Sequence, residues 1–301
     1  DGSAEGDKVL INALGMAFDI YSGYAWDIVG FDFTGSGTLA TGYGNSEMAL
    51  YAFDTNDEKS KAVINTAAIK FKFGNESVNG TLRGGYTRLD VGTIGTSWRM
   101  NSHGYRGFEA KMSFAGFTLG YAWADQFLNE WDDKYRDFAN DYTQGRISFV
   151  PVETIDYIHS IGLIYNFGPD KQAFVDSGYG EAKDYRRNAQ LAVAYPFSIG
   201  EEGALVATVY GFWGKYLDEL YTRGGDIENE FVYAASLDYS RPKLNAALAF
   251  AYTDGPNSGE MEMGLAPYAN SDKRIFAYVN SQLDEHMWNG LKTFKLSADY
   301  D

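Results

Sequence analysis

Charged side chains of both signs recur at alternate positions inside apolar stretches of the chain. Lys70 and Lys72, for example, alternate with Ile69, Phe71 and Phe73. Charges placed this way on one face of a strand can line a passage, where they create a transverse field and offer hydrogen-bond partners to hydroxyl groups. An equally simple interpretation is that these charges pair with one another and merely fill the space that they face. The set is Asp32, Lys70, Lys72, Arg83, Glu109, Lys111, Asp238, Lys295 and Asp299.

Aromatic residues interleaved with carboxylates form a second candidate site, in the segment 127–142. Trp131, Tyr135 and Tyr142 stand there among four aspartates. Aromatic rings stack on the apolar C–H faces of sugars, and carboxylates accept hydrogen bonds from their hydroxyl groups. Trp98 and Arg99 are a second candidate constriction. The alternative is an external loop that packs on itself.

The sequence carries no strong catalytic motif. Its three histidines are scattered at positions 103, 159 and 286, it has no cysteine, and no isolated serine sits in a nucleophile elbow. We therefore expect no enzyme, no metal site and no cofactor. The net charge of −16 disfavours nucleic acid as a partner, because phosphate binding needs positive charge.

The elements that must position these residues are β-strands with two unlike faces. In the stretch 244–252, large apolar residues such as Leu248 and Phe250 occupy even positions, and Asn245, Ala247 and Ala249 occupy odd ones. The period of two predicts a strand, and the small second face is typical of a membrane barrel with lipid outside and a watery lumen inside. A mean hydropathy of −0.33 fits, because half of each strand faces water.

Short and long connections alternate along the chain, as in outer-membrane barrels with short periplasmic turns and long extracellular loops. We predict an all-β fold: one transmembrane antiparallel β-barrel over 1–301, with 1–7 as a flexible N-terminal segment. The count is 13 strands, or 14 if 274–280 is a strand, and we favour 14 because such barrels close with an even number. A soluble sandwich would have to hide too many apolar stripes. The outer aromatic girdle is expected to include Phe212, Trp213, Tyr216 and Tyr221.

In its pattern of strands and turns the chain resembles the OprD-type substrate-specific porins. The resemblance covers most of the chain but consists of strand patterns with a few Gly and Arg positions. For its size the chain looks most like a 14-stranded cyclodextrin porin (CymA-type), with chitoporins as a second neighbour. The stretches that carry it are 15–37, LRGGYTRLDVGT at 82–93, YRGFEAK at 105–111, FAGFTLGY at 114–121 and KDYRR at 183–187, continuing to 251.

The resemblance implies passive, substrate-favouring diffusion across a bacterial outer membrane, with loops or the N-terminal segment folded inward as the constriction. We expect the solute to be a bulky neutral oligosaccharide such as a cyclodextrin. The alternatives are a porin for cationic amino acids or other small solutes, and a structural barrel with a filled lumen; the many small inward residues argue against the last. Other expected partners are the lipid and lipopolysaccharide of that membrane, and the expected state is a monomer.

Overall fold

The computed structural model describes residues 12–41, 61–95, 104–128, 132, 134–139, 153–168, 172–200, 202–217, 229–255, 264–266 and 290–300. These residues form fifteen β-strands that pair in antiparallel fashion throughout. Within the described ranges there is no helix long and apolar enough to cross a membrane. The strands are β1 (Asn12–Tyr21), β2 (Val29–Thr41), β3 (Lys61–Gly74), β4 (Val78–Thr87), β5 (Gly104–Phe114), β6 (Phe117–Leu128), β7 (Arg136–Ala139), β8 (Thr154–Ile155), β9 (Ile158–Phe167), β10 (Ala173–Ala182), β11 (Arg186–Ile199), β12 (Gly203–Tyr216), β13 (Asn229–Arg241), β14 (Leu244–Asp254) and β15 (Lys292–Tyr300).

Thirteen of these strands form one continuous path in chain order, β1 to β6 and then β9 to β15. The short strands β7 and β8 extend β6 at one end of the sheet. The thirteen strands correspond one for one to those read from the alternation in the sequence. The additional strand that we favoured, at 274–280, lies outside the described residues.

The connections confirm the expected asymmetry between the two ends of the sheet. At the short-turn end, strands are joined by 22–28, 75–77, 115–116, 168–172, 200–202 and 242–243. At the long-loop end most connections are longer, and the exception is the three-residue turn 183–185 between β10 and β11. Asp184 adopts a positive φ of 55° in that turn, a conformation that aspartate tolerates better than most residues.

The strands β1 and β15 are the two edges of the path, and they run in the same direction. The first residue of β1, Asn12, lies opposite Thr41 at the long-loop end, whereas the last residue of β15, Tyr300, lies opposite Leu244 at the short-turn end. Both strands therefore run from the long-loop end to the short-turn end. Two strands with the same direction cannot be antiparallel neighbours, and no pairing joins them in the part of the chain that is described.

The two faces of the wall differ as the alternation predicts. Leu248 is 50% exposed on the outer face, whereas its neighbour Ala249 is 4% exposed on the inner face. The expectation that Phe212 and Tyr216 belong to the outer girdle is wrong. Phe212 is buried and Tyr216 packs against a buried cluster, while Trp213 points the other way. Successive residues of a strand face opposite sides, so Phe212 and Trp213 could not share one surface.

Two β-bulges interrupt the alternation near the long-loop end. One lies between Thr34 and Gly35 of β2 and leaves two successive residues of β3, Asn65 and Thr66, both buried. The other lies between Arg106 and Gly107 of β5. A bulge inserts one extra residue in a strand and re-aims the side chains around it. Inner-face assignments beyond a bulge therefore cannot be read from odd and even numbering.

A charge placed on the outer face should destabilise the barrel much more than one placed on the inner face. Leu248→Arg would put a guanidinium into lipid, and we expect a loss of about 2–4 kcal/mol near the midplane. The control is the adjacent Ala247→Arg, whose side chain would enter an inner recess of about 230 Å³. Urea unfolding in lipid vesicles measures both. Equal losses for the two variants would contradict the register.

Candidate functional site: two segments folded onto the inner wall

The segment 88–95 continues from β4 and folds back onto the inner face of the sheet. Leu89, Val91 and Ile94 are buried in it, and they belong to the largest apolar cluster of the described chain. Val91 and Ile94 exchange two backbone hydrogen bonds of 3.0 and 2.9 Å, which close a tight turn. Gly92 occupies the turn with a φ of 55°, a conformation that glycine adopts without steric cost. The turn is thus compact and closed by its own backbone hydrogen bonds, and it lies within the lumen.

A row of glycines on the wall makes room for this turn. Gly120, Gly162 and Gly178 lie opposite one another across β6, β9 and β10. A Cβ atom on Gly162 would lie 2.5 Å from the backbone nitrogen of Gly92, and one on Gly178 would lie 2.5 Å from its Cα. Both contacts are with backbone, which cannot rotate away. We call these three residues the glycine row; a larger residue at Gly162 or Gly178 would displace the turn.

Three side chains of the wall hold the backbone of the segment. The Thr93 N–H donates to Ser160 Oγ at 2.9 Å, and Gln190 Nε2 donates to the Gly92 carbonyl at 2.7 Å. The Asp90 N–H donates to Glu109 Oε2 at 3.0 Å. The segment is therefore bonded to β5, β9 and β11.

A second piece, residues 264–266, lies against the same part of the wall. Leu265 and Ala266 are fully buried, and the Gly264 carbonyl accepts a hydrogen bond of 2.8 Å from Asn188 Nδ2. A Cβ atom on Gly180 would lie 2.2 Å from Thr93 Oγ1 and 2.7 Å from Leu265 Cδ1. The two inward segments therefore meet above Gly180.

Five of the charges that the sequence pattern places inward pair with one another. Glu109, with a side chain 8% exposed, binds Arg83 at 3.0 Å and Lys111 at 3.2 Å. Asp32 binds Lys70 at 2.6 Å. Arg83 also donates to the Arg88 carbonyl at 2.6 Å, so the Glu109 cluster fixes the point where the segment 88–95 leaves the wall.

The remaining inward residues lie elsewhere on the wall. Lys72 pairs with Asp27 of the 22–28 turn. Asp238 accepts a hydrogen bond of 2.8 Å from Ser236 and lines the recess near the short-turn end. Lys295 lies opposite Ala249 on the inner face. Among the described residues, no group of three or more His, Asp or Glu side chains is placed to hold a metal ion.

Of the aromatic candidates, Tyr135 is the one that falls among the described residues. Its hydroxyl donates to the Asn65 carbonyl at 2.6 Å, and its ring centroid lies 4.4 Å from that of Tyr86. Burial raises the pKa of the Tyr135 phenol, so the group stays protonated and keeps donating. Phe138 stacks on Phe127 of β6, so the described part of this loop packs against the strands β3, β4 and β6 at the long-loop end. Trp98, Arg99, Trp131 and Tyr142 lie outside the described residues.

The inward segment 88–95, the glycine row and the amides that bind the two segments were not predicted from the sequence. A usable signal was present: Leu89, Val91 and Ile94 continue an apolar pattern past the end of β4, where a solvent-exposed loop would be polar.

Comparisons with known proteins give one sequence relative and many solved structures. The chain is 26% identical to the chitoporin of Escherichia coli strain K12, over 99% of this chain and 65% of that protein. It thus spans just under two thirds of the relative's length. No family model matches the chain.

Two solved structures of similar shape illustrate the match. Acinetobacter baumannii OccAB1 superposes with a TM-score of 0.75 at 17% identity, covering 96% of this chain and 69% of the other. Pseudomonas aeruginosa OpdK, whose structure contains vanillate, gives 0.74 at 15% identity, covering 96% and 72%. At these identities the structures establish the fold: a transmembrane antiparallel β-barrel of the outer-membrane porin type.

Fold and sequence relative together confirm the resemblance to the OprD-type substrate-specific porins. The chain shares the fold of these porins, and its location is the bacterial outer membrane. Its relatives are passive channels rather than enzymes.

The glycine row leads to a prediction about the position of the segment 88–95. Gly178→Ala places a methyl group against the Gly92 backbone, and overpacking of this kind costs about 1–3 kcal/mol. We expect the turn to shift off the wall. Because the chain has no cysteine, a Thr93→Cys reporter, buried in the parent, should then react several-fold faster with a water-soluble thiol reagent.

The matched control is Gly15→Ala on β1, where an added Cβ meets nothing within 4 Å. It should leave the labelling rate of the reporter unchanged. Unchanged labelling in Gly178→Ala as well would show that the glycine row does not seat the turn.

Proposed function

We propose that this chain forms a channel through which neutral oligosaccharides diffuse passively across the outer membrane. The observation that carries the proposal is the segment 88–95, which is seated on the glycine row and narrows the lumen from one side. The similarity to chitoporin, a porin named for chitin, supports a sugar as the solute.

The pairing of charges on the inner wall also supports a neutral solute. Lys70 is matched by Asp32, and Arg83 and Lys111 share Glu109. Paired groups keep donors and acceptors for hydroxyl groups but weaken the net field that would select for ions of one sign. The substrate path that we propose runs past these five residues and also past Lys72, Asp238 and Lys295.

Aromatic residues would provide the stacking surfaces along the path. Trp98 and Arg99 follow the inward segment by only a few positions in the sequence, and Trp131 and Tyr142 flank Tyr135. Ring stacking on sugar C–H faces is weak enough to permit release, as conduction requires. We propose that the protein acts as a monomer in contact with lipid and lipopolysaccharide.

A second candidate function is a channel for cationic amino acids or other small solutes. The observation in its favour is the Asp90 carboxylate, which is exposed on the inward segment of a chain with a net charge of −16. A negative group at a constriction attracts cations. Solute interference with the ion current separates the two candidates.

The test is single-channel recording in planar bilayers with chitooligosaccharides, linear glucans or cyclodextrins added. We expect transient interruptions of the current. Trp98→Ala or Trp131→Ala should shorten the sugar residence time roughly two- to tenfold, since an aromatic contact is worth about 0.5–1.5 kcal/mol. Trp26→Ala is the control, because Trp26 is 85% exposed in the short 22–28 turn.

Two results would contradict the proposal. Interruption by lysine or arginine without interruption by any sugar would favour the cationic-solute channel. Absence of any current from inserted protein would favour a barrel with a filled lumen.

A further inference from the structure

We propose that Asn188 and Gln190 are positioning residues that together set the aperture of the channel. The inference rests on the proposed channel function. Both residues lie on β11, two positions apart, so both point to the inner face. Each donates its side-chain amide to a glycine carbonyl of a different inward segment: Asn188 to Gly264 at 2.8 Å and Gln190 to Gly92 at 2.7 Å.

The register places the two amides at the ends of adjacent rows across the wall. Gln190 lies opposite Gly178 and so extends the glycine row that seats the turn at Gly92. Asn188 lies opposite Gly180, above which the two inward segments meet. The strand β11 thus holds both inward segments in position against the inner wall.

The Asn188 amide is held in one orientation by Arg186. Arg186 Nε donates to Asn188 Oδ1 at 2.9 Å, which leaves Nδ2 to face the Gly264 carbonyl. Arg186 itself is fully buried, binds Glu230 at 2.5 Å and lies 4.4 Å from the centre of the Tyr216 ring. A Cβ atom on Gly214 would lie 2.2 Å from the guanidinium, so a glycine makes room for it.

The glycine carbonyls need a donor because the ladder of the wall cannot supply one. A buried carbonyl without a partner costs about 1–3 kcal/mol. A carboxylate of the same shape would place an acceptor against that carbonyl. Asn188→Asp and Gln190→Glu therefore remove the donor with almost no change in volume.

The experiment combines each substitution with a buried thiol reporter, Ala266→Cys for Asn188→Asp and Thr93→Cys for Gln190→Glu. We expect at least tenfold faster labelling, larger ion conductance and shorter sugar blocks. The matched control is Asn245→Asp, which adds the same charge to the lumen beside the recess at the short-turn end. It should change neither labelling rate. Heat-modified mobility in gel electrophoresis checks that each barrel is folded.

Acidification distinguishes loss of the hydrogen-bond donor at position 190 from a general loosening of the inward segment. Below the ordinary glutamate pKa of about 4.3, the carboxyl group of Gln190→Glu regains an O–H donor. Its ion conductance, taken relative to the parent at the same pH, should then return toward the parent value. Gln190→Met, similar in size but without a donor at any pH, should remain open.

Parent-like labelling and conductance in both carboxylate variants would overturn the proposal, as would an identical pH response of Gln190→Met and Gln190→Glu. Faster labelling with larger ion conductance, in a channel that no sugar ever blocks, would support the positioning role and reject the oligosaccharide function.

Discussion

Backbone hydrogen bonding within the membrane is the constraint on which the rest of this structure depends. In hydrocarbon every backbone N–H and C=O of a spanning strand must pair with a neighbouring strand, so the wall is a continuous antiparallel ladder. The ladder forces side chains to alternate between lipid and lumen. Residues such as Leu248 face the lipid and stabilise the barrel there. The alternate positions face the lumen and are available for function.

A saturated ladder also determines how anything inside the barrel is held. The inward segments 88–95 and 264–266 cannot add to the sheet face-on, so their backbone groups bond to side chains of the wall. Ser160, Gln190 and Asn188 provide these bonds, and Ser160 in turn donates to the Tyr179 carbonyl. Glycines allow the close approach on which such short bonds depend. The shape and the hydrogen-bonding groups of the inner surface thus match the two inward segments.

The sequence was sufficient for the wall because the wall obeys a strict local rule. Alternation alone located all thirteen strands of the path, the outward position of Leu248 and the inward position of Glu109. It was insufficient where non-local contacts decide. The bulges between Thr34 and Gly35 of β2 and between Arg106 and Gly107 of β5 change the parity of the strands. The assignment of Phe212 and Trp213 to one face is a different kind of error, because the local alternation itself separates adjacent residues. The seat of Gly92 depends on glycines from three strands, which no local pattern brings together.

The ion pairs show a similar limit. The sequence indicated which charges face inward, but not that Glu109 would serve two cations and also the Asp90 backbone. This shared carboxylate links the charge pattern of the wall to the position of the segment that narrows the lumen.

The central claim is that the segment 88–95 lies at the aperture of an open channel. The most direct test is Asp90→Cys in a chain with no other cysteine, treated with a bulky water-soluble thiol reagent during single-channel recording. The account predicts a stepwise, reductant-reversible fall in conductance as each channel is modified. Complete modification, verified by mass spectrometry, with no change in current would contradict it.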